Sequence, residues 1–180
     1  MYYNTTCNSP IGIITLACNE QECLVGLWRE GQKYFRDTVD SEMIENDELE
    51  IFNLTKNWLD RYFKGAKPEI SELPLAPIGN EFRQRVWQLL CEIPYGEVWT
   101  YGEIANIIAK EQGKARMSAQ AVGGVVGHNP ISIIIPCHRV VSANGSLTGY
   151  AGGIKTKIAL LKHEGVNMEK LFVPKHSTAP

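Results

Sequence analysis

The sequence predicts an α/β chain of the α+β kind in two domains. Three observations predict it: short β-rich runs near the start, a proline-rich stretch before the middle, and helical periodicity with helix-start signals beyond it. The runs Ile11-Gly12-Ile13-Ile14-Thr15-Leu16 and Cys23-Leu24-Val25-Gly26-Leu27-Trp28 flank Asn19-Glu20-Gln21, which suits a hairpin. A helix follows over 48–63, where Phe52, Thr55, Trp58, Leu59 and Tyr62 form a core stripe. Lys67-Pro68 through Pro74-Leu75-Ala76-Pro77 lacks strong periodicity and reads as an interdomain connection. The expected boundaries are 1–75 for an α/β domain, 78–169 for a second domain and 170–180 for a flexible tail.

In the second half, Asn80 is placed to cap a helix carrying Phe82, Val86, Leu89, Leu90 and Ile93, which Pro94 ends. Thr100-Tyr101-Gly102-Glu103 is a capping box ahead of Ile104, Ala105, Ile107 and Ile108. After the polar turn 111–116, Ser118 can cap a helix through Ala121-Val122-Gly123-Gly124-Val125. Two short helices around a basic turn fit a helix-turn-helix or an ordinary helical hairpin. Glycine inside a helix costs about 1 kcal/mol relative to alanine, so the small residues there suggest a close backbone approach, as to a nucleic-acid groove. Ile154, Ile158 and Leu161 mark a last helix, with Gly165 as its left-handed cap.

The net charge of −2 hides an asymmetry. Seven Lys and Arg face thirteen Asp and Glu through Pro77, and eleven face seven from Ile78 onward. A basic second half suits a polyanionic partner, although solvated faces carry similar surpluses. No apolar run reaches membrane-spanning length and Met1-Tyr2-Tyr3-Asn4 does not resemble a signal sequence, so a cytoplasmic protein with no membrane partner is expected. Five cysteines, an odd number, favour reduced thiols. Cys7, Cys18 and Cys23 lack paired CxxC spacing and no histidine precedes His128, so no metal site is expected.

The chemistry concentrates at Ile133-Ile134-Ile135-Pro136-Cys137-His138-Arg139-Val140. The β-branched run reads as a buried strand that Pro136 stops, placing Cys137 where the strand enters a turn. A fixed nucleophile fits that position, and so does a buried thiol.

Taken together, Ala121-Val122-Gly123-Gly124, His128-Asn129-Pro130, Ile135-Pro136-Cys137-His138-Arg139-Val140, Gly149-Tyr150-Ala151-Gly152-Gly153 and His163-Glu164-Gly165 resemble the O6-alkylguanine-DNA alkyltransferases over about residues 82–165. The resemblance implies a ribonuclease-H-like α/β N-terminal domain and a mainly helical C-terminal domain with a winged-helix-like helix-turn-helix. It implies direct-reversal repair: after base flipping, the alkyl group of O6-alkylguanine, and by extension O4-alkylthymine, passes irreversibly to Cys137. The damaged base is the donor, so no cofactor is implied, and the partner is double-stranded DNA bound by a monomer.

By the same resemblance His138 acts as base through a bridging water. Side chains adjacent on an extended backbone point apart, which makes a direct Cys137 to His138 bond awkward. Glu164 orients and charges that histidine, Asn129 holds the active-site turn, and Tyr101 contacts the flipped base and rotates its phosphate. The carbonyls of Cys137 and Val140 read the guanine amine, with Tyr150 and the Ala151 amide beside O6. Lys114, Arg116, Ser118, Gln120, Ala121, Gly123 and Arg139 are the expected DNA contacts. One departure stands out: family members commonly carry arginine before the Ala-Val-Gly-Gly run, where this chain has Gln120, which lacks the cation and the stacking plane. The alternatives are a noncatalytic lesion-binding or regulatory helix-turn-helix protein, against which Cys137 speaks, and a cysteine hydrolase, which gives the helix-turn-helix no purpose.

Overall fold

A computed structural model describes residues 1–175. The chain divides into two units, one of residues 1–79 together with Pro130–Ile134, the other of Asn80–Asn129 and the chain from Ile135 onward.

The first unit is built on a sheet of strands β1 (Tyr2–Ser9), β2 (Gly12–Asn19), β3 (Leu24–Arg29) and β4 (Met43–Glu45), in the order β3-β2-β1-β4. The expected hairpin is β2–β3, antiparallel with an irregularity between Ala17 and Cys18. Strand β1, which has no clean apolar alternation, takes its place by pairing antiparallel with β2 from Tyr2↔Asn19 to Ser9↔Gly12. Short β4 adds in parallel to β1. Helix α1 (Glu50–Phe63) buries Ile51 and all five stripe residues expected from the sequence. Ala17, Val25, Trp28 and Val39 form a separate packed cluster. A Cβ on Gly26 would lie 1.9 Å from the Trp28 ring, so only glycine fits there.

The outer edge of β3 is covered by two short segments. Leu24 donates its amide to Pro74 O at 2.8 Å and accepts from the Ala76 amide at 2.8 Å. Leu27 donates to Pro130 O at 2.8 Å and accepts from the Ser132 amide at 3.1 Å. These bonds satisfy an edge that would otherwise template unwanted pairing, and they assign 130–134 to the first unit rather than to a continuous 78–169 domain.

The second unit contains α2 (Glu81–Glu92), α3 (Tyr101–Glu111), α4 (Ala119–Gly127) and α5 (Ile154–His163), with a two-residue parallel pair of β5 (Trp99–Thr100) and β6 (Val140–Val141). The three helix starts read from the sequence are present. Asn80 Oδ1 accepts from the Arg83 amide at 2.9 Å, Thr100 and Glu103 form a reciprocal box, and Ser118 accepts from the Ala121 amide at 3.2 Å. Trp87 Nε1 donates to Val125 O at 3.3 Å, tying α2 to α4. Gly165 closes α5 with φ +75°.

The start of the expected tail is hydrogen-bonded to the fold. The Phe172 amide donates to Gly145 O at 3.0 Å and the Leu147 amide to Phe172 O at 2.9 Å, so the backbone as far as Phe172 pairs with the turn at Asn144-Gly145. The rest of the expected tail, 176–180, lies outside the described residues. Among the described residues no helix is long and apolar enough to cross a membrane, and no group of three or more metal-ligating side chains forms.

Candidate active site

The isoleucine run is buried as expected, but it is not a strand. Ile131 makes an isolated bridge to Leu27, Ile133 sits at φ +71°, and the Ile134 and Cys137 amides bond two residues back to Ser132 O and Ile135 O. Prolines at 130 and 136 bracket the run, and Ser132 has spent its amide on Leu27, so the chain coils through tight turns with its side chains still inside. Cys137 consequently opens a 3-10 turn, Cys137–Arg139, and the extended backbone assumed between Cys137 and His138 is corrected to a helical one.

The turn is held from several sides. Asn129, buried just past the end of α4, donates Nδ2 to Ile135 O at 2.7 Å and hydrogen-bonds the Cys137 thiol as well. His138, fully buried, meets Glu164 Oε1 through Nε2 at 2.7 Å. A carboxylate only accepts, so Nε2 carries the proton and Nδ1 is the free lone pair. Nδ1 is buried and has no hydrogen-bond partner among the described residues. Glu164 stands at the end of α5, where Arg139 reaches it with Nε at 2.8 Å from Oε2 and Nη2 at 3.1 Å from Oε1.

Arg139 was expected to touch DNA, and the structure corrects this. The side chain is buried, its remaining Nη1 donates to Ile93 O at 2.6 Å, and its guanidinium lies 5.6 Å from the Tyr95 ring centre. Three of its five N–H donors are committed to a buried carboxylate and a carbonyl, and burial keeps the group from reaching a phosphate.

Sequence reasoning missed Lys157. Its ammonium is buried on the α5 face that carries Ile154, Ile158 and Leu161, donating to Val140 O at 2.5 Å and Thr148 O at 3.1 Å. The signal was available, because a lysine on an apolar helical stripe must find acceptors or lose its charge. The Tyr101 hydroxyl also donates to Thr148 O, at 3.1 Å. One carbonyl thus joins the first residue of α3 to α5. Val140 O keeps a second lone pair for another donor.

Burial sets the resting protonation states. It pushes the Cys137 thiol up more than the Asn129 bond, the Lys157 charge and the Cys137 and His138 amides pull it down. Burial lowers His138, and although Glu164 opposes this, Arg139 and Lys157 reinforce it. Burial alone would raise Glu164, but its bonds to His138 and Arg139 hold it well below the usual carboxylate range. Burial drops Lys157 to about 8 and, with the Cys137 charge, lifts Tyr101 to about 12. The resting site therefore pairs a thiol with a neutral imidazole and an ionised carboxylate.

The remaining expected residues divide by exposure. Tyr150 is buried and Ala151 half-buried, while Lys114, Arg116, Ser118, Gln120 and Ala121 are exposed on α4 and the turn before it. Gly123 is half-buried, its Cβ position 3.7 Å from the Tyr101 ring. Helix α4 buries Val122, Val125 and Val126 on the opposite face.

A buried cysteine–histidine–glutamate set in the same unit as two short helices joined by a basic turn fits a nucleophilic cysteine protein that handles nucleic acid. Comparison with known proteins makes this specific. Residues 81–166 match the family described as 6-O-methylguanine DNA methyltransferase, DNA binding domain, and residues 1–77 match the ribonuclease-like domain of the same proteins. A methylated-DNA–protein-cysteine methyltransferase of Methanosarcina barkeri is 45% identical over 168 residues, 93% of this chain and 99% of the relative. The O6-methylguanine methyltransferase structure from Mycobacterium tuberculosis is 41% identical, with TM-score 0.76 over 91% of this chain and 93% of that one. A second structure from that organism, in complex with DNA, is 40% identical, with TM-score 0.75 over 91% of each chain. The chain belongs to the 6-O-methylguanine DNA methyltransferase family.

Proposed function

We propose that this protein repairs DNA by direct reversal, moving the alkyl group of O6-alkylguanine, and of O4-alkylthymine, onto its own Cys137. The observation that carries the reading is the buried Cys137 turn, held by Asn129 and followed by a His138 whose tautomer Glu164 fixes. The exposed face of α4, with Gln120 and Ala121, is presented to the duplex, and Lys114, Arg116 and Ser118 contact phosphates. The lesion is flipped out of the stack, Tyr101 contacts it, and the Cys137 and Val140 carbonyls with Tyr150 and Ala151 line its pocket.

In the transfer, the S–C bond forms as the O6–C bond breaks, and the electron pair of the broken bond leaves with guanine. The thiol proton passes to Nδ1 of His138, through a bridging water, and Glu164 stabilises the imidazolium that results. Guanine takes up one proton from solvent at N1 as O6 returns to its keto form, and the His138 imidazolium releases the thiol proton to solvent, so the proton count closes. Asn129, the turn amides and the Lys157 ammonium are placed to stabilise the thiolate as it develops. The thioether is stable, so each monomer acts once and needs no cofactor. Five free cysteines suit a reducing compartment, which is the basis for assigning the cytoplasm.

Intact and peptide mass spectrometry after mixing with a duplex carrying one O6-methylguanine tests this. One methyl group mapping to Cys137, an oligonucleotide restored to guanine, and no transfer by Cys137→Ser are expected. Tight lesion binding without transfer would make the protein a sensor instead.

A further inference from the structure

The buried cation beside the catalytic set has no part in the reading above. Arg139 shares Glu164 with His138: Oε1 accepts from His138 Nε2 at 2.7 Å and from Arg139 Nη2 at 3.1 Å, while Oε2 accepts from Arg139 Nε at 2.8 Å. The guanidinium is itself anchored, through Nη1 to Ile93 O at 2.6 Å and against the Tyr95 ring. An imidazole and a guanidinium therefore share one buried carboxylate, and the guanidinium is always charged.

We propose that Arg139 is a positioning residue for the transfer: it neutralises Glu164, so that His138 rests as neutral imidazole with Nδ1 ready to accept the Cys137 proton. Without a compensating cation, Glu164 would draw His138 toward imidazolium against the burial that disfavours it, and an imidazolium has no lone pair and cannot act as a base. With it, the carboxylate orients the ring while its charge is already balanced. Every charged group facing the imidazole fits this division: Glu164 at the end of α5 favours the proton, Arg139 on the same turn and Lys157 on α5 oppose it. Cys137, next in the chain, is a neutral thiol at rest, and Tyr95 touches the network only through Arg139. The inference rests on the proposed alkyl transfer, and it gives Arg139 a role in tuning the base that is distinct from DNA contact.

Single-turnover methyl transfer to an O6-methylguanine duplex, measured against pH for wild type, Arg139→Lys and Arg139→Met, tests it. Freeing the carboxylate should raise the imidazole. The acid limb of the Arg139→Met profile should move to higher pH, so that transfer is slower than wild type on the acid side and the deficit closes at alkaline pH. Arg139→Lys keeps the charge and should keep the wild-type limb. A folded Arg139→Met protein slowed equally at every pH would make Arg139 merely structural and overturn the inference. A ¹⁵N histidine spectrum of the wild-type protein provides a test that does not depend on the variant folding. Neutral His138 protonated on Nε2 at pH 7 is expected, and imidazolium there would overturn the inference. Failure of wild type to methylate Cys137 would instead refute the alkyl-transfer reading and would leave the ¹⁵N test standing.

Discussion

Lys157→Met is the perturbation whose consequence follows most directly from the geometry. The Lys157 ammonium is buried, and burial takes it from an ordinary value of 10.5 to about 8, with the Cys137 charge opposing the shift. Between those two values the unfolded chain holds a proton on this lysine that the folded protein does not. Stability contributed by this residue must therefore rise with pH across that window and be lost as pH falls through 8. The full difference is about 3 kcal/mol, and about 2 kcal/mol of it develops between pH 7 and 9.5. Cys18 and Cys91, both raised to about 11 by burial, drive wild-type stability the opposite way above pH 9, so the raw curve is no guide. The difference between wild type and Lys157→Met, from urea unfolding at a series of pH values, cancels Cys18 and Cys91, neither of which Lys157 influences. It should shift in favour of wild type by about 2 kcal/mol between pH 7 and 9.5. A difference flat with pH would mean that Lys157 is not a buried, depressed ammonium. The same variant should transfer methyl more slowly at pH 7, because the cation that lowers Cys137 is gone.

Three further outcomes follow from neighbouring residues. Tyr101→Phe removes one donor from Thr148 O, but Lys157 still serves that carbonyl, so thermal unfolding should show a loss under about 1 kcal/mol while single-turnover repair slows; a wild-type rate would remove Tyr101 from the site. Gln120→Arg restores the cation and stacking plane that family members commonly carry, and should tighten duplex binding measured by fluorescence anisotropy and speed repair. Unchanged values would show that this exposed position lies outside the base stack. Gly124→Ala meets nothing within 4 Å in the free protein, so it should stabilise α4 by about 1 kcal/mol while weakening DNA binding if this face enters a groove. Unweakened binding would place the groove contact elsewhere.

Much of the second unit was legible because its signals are local. Asn80, Thr100 with Glu103, and Ser118 each bond an amide within three residues, so the sequence carries the cap and its partner together. The stripe on α1 and the left-handed Gly165 were read for the same reason. Strand β1 was not, since its registry is supplied by β2 rather than by its own alternation. The isoleucine run misled because burial and strand share one apolar signature, and whether its amides pair with a partner strand or with residues two back is settled elsewhere in the chain.

The amino-acid sequence by itself determined the two-part α+β plan, the helix starts, and the ordered motifs around Cys137, His138 and Glu164, all of which depend on residues close in the chain or on their order. Only the tertiary structure decided which charges go inside. Arg139 and Lys157 look like surface or DNA-binding cations until Glu164 and the Ile93, Val140 and Thr148 carbonyls close around them. A cation is buried only where acceptors from distant segments offset its desolvation, and those acceptors converge only when the fold is complete.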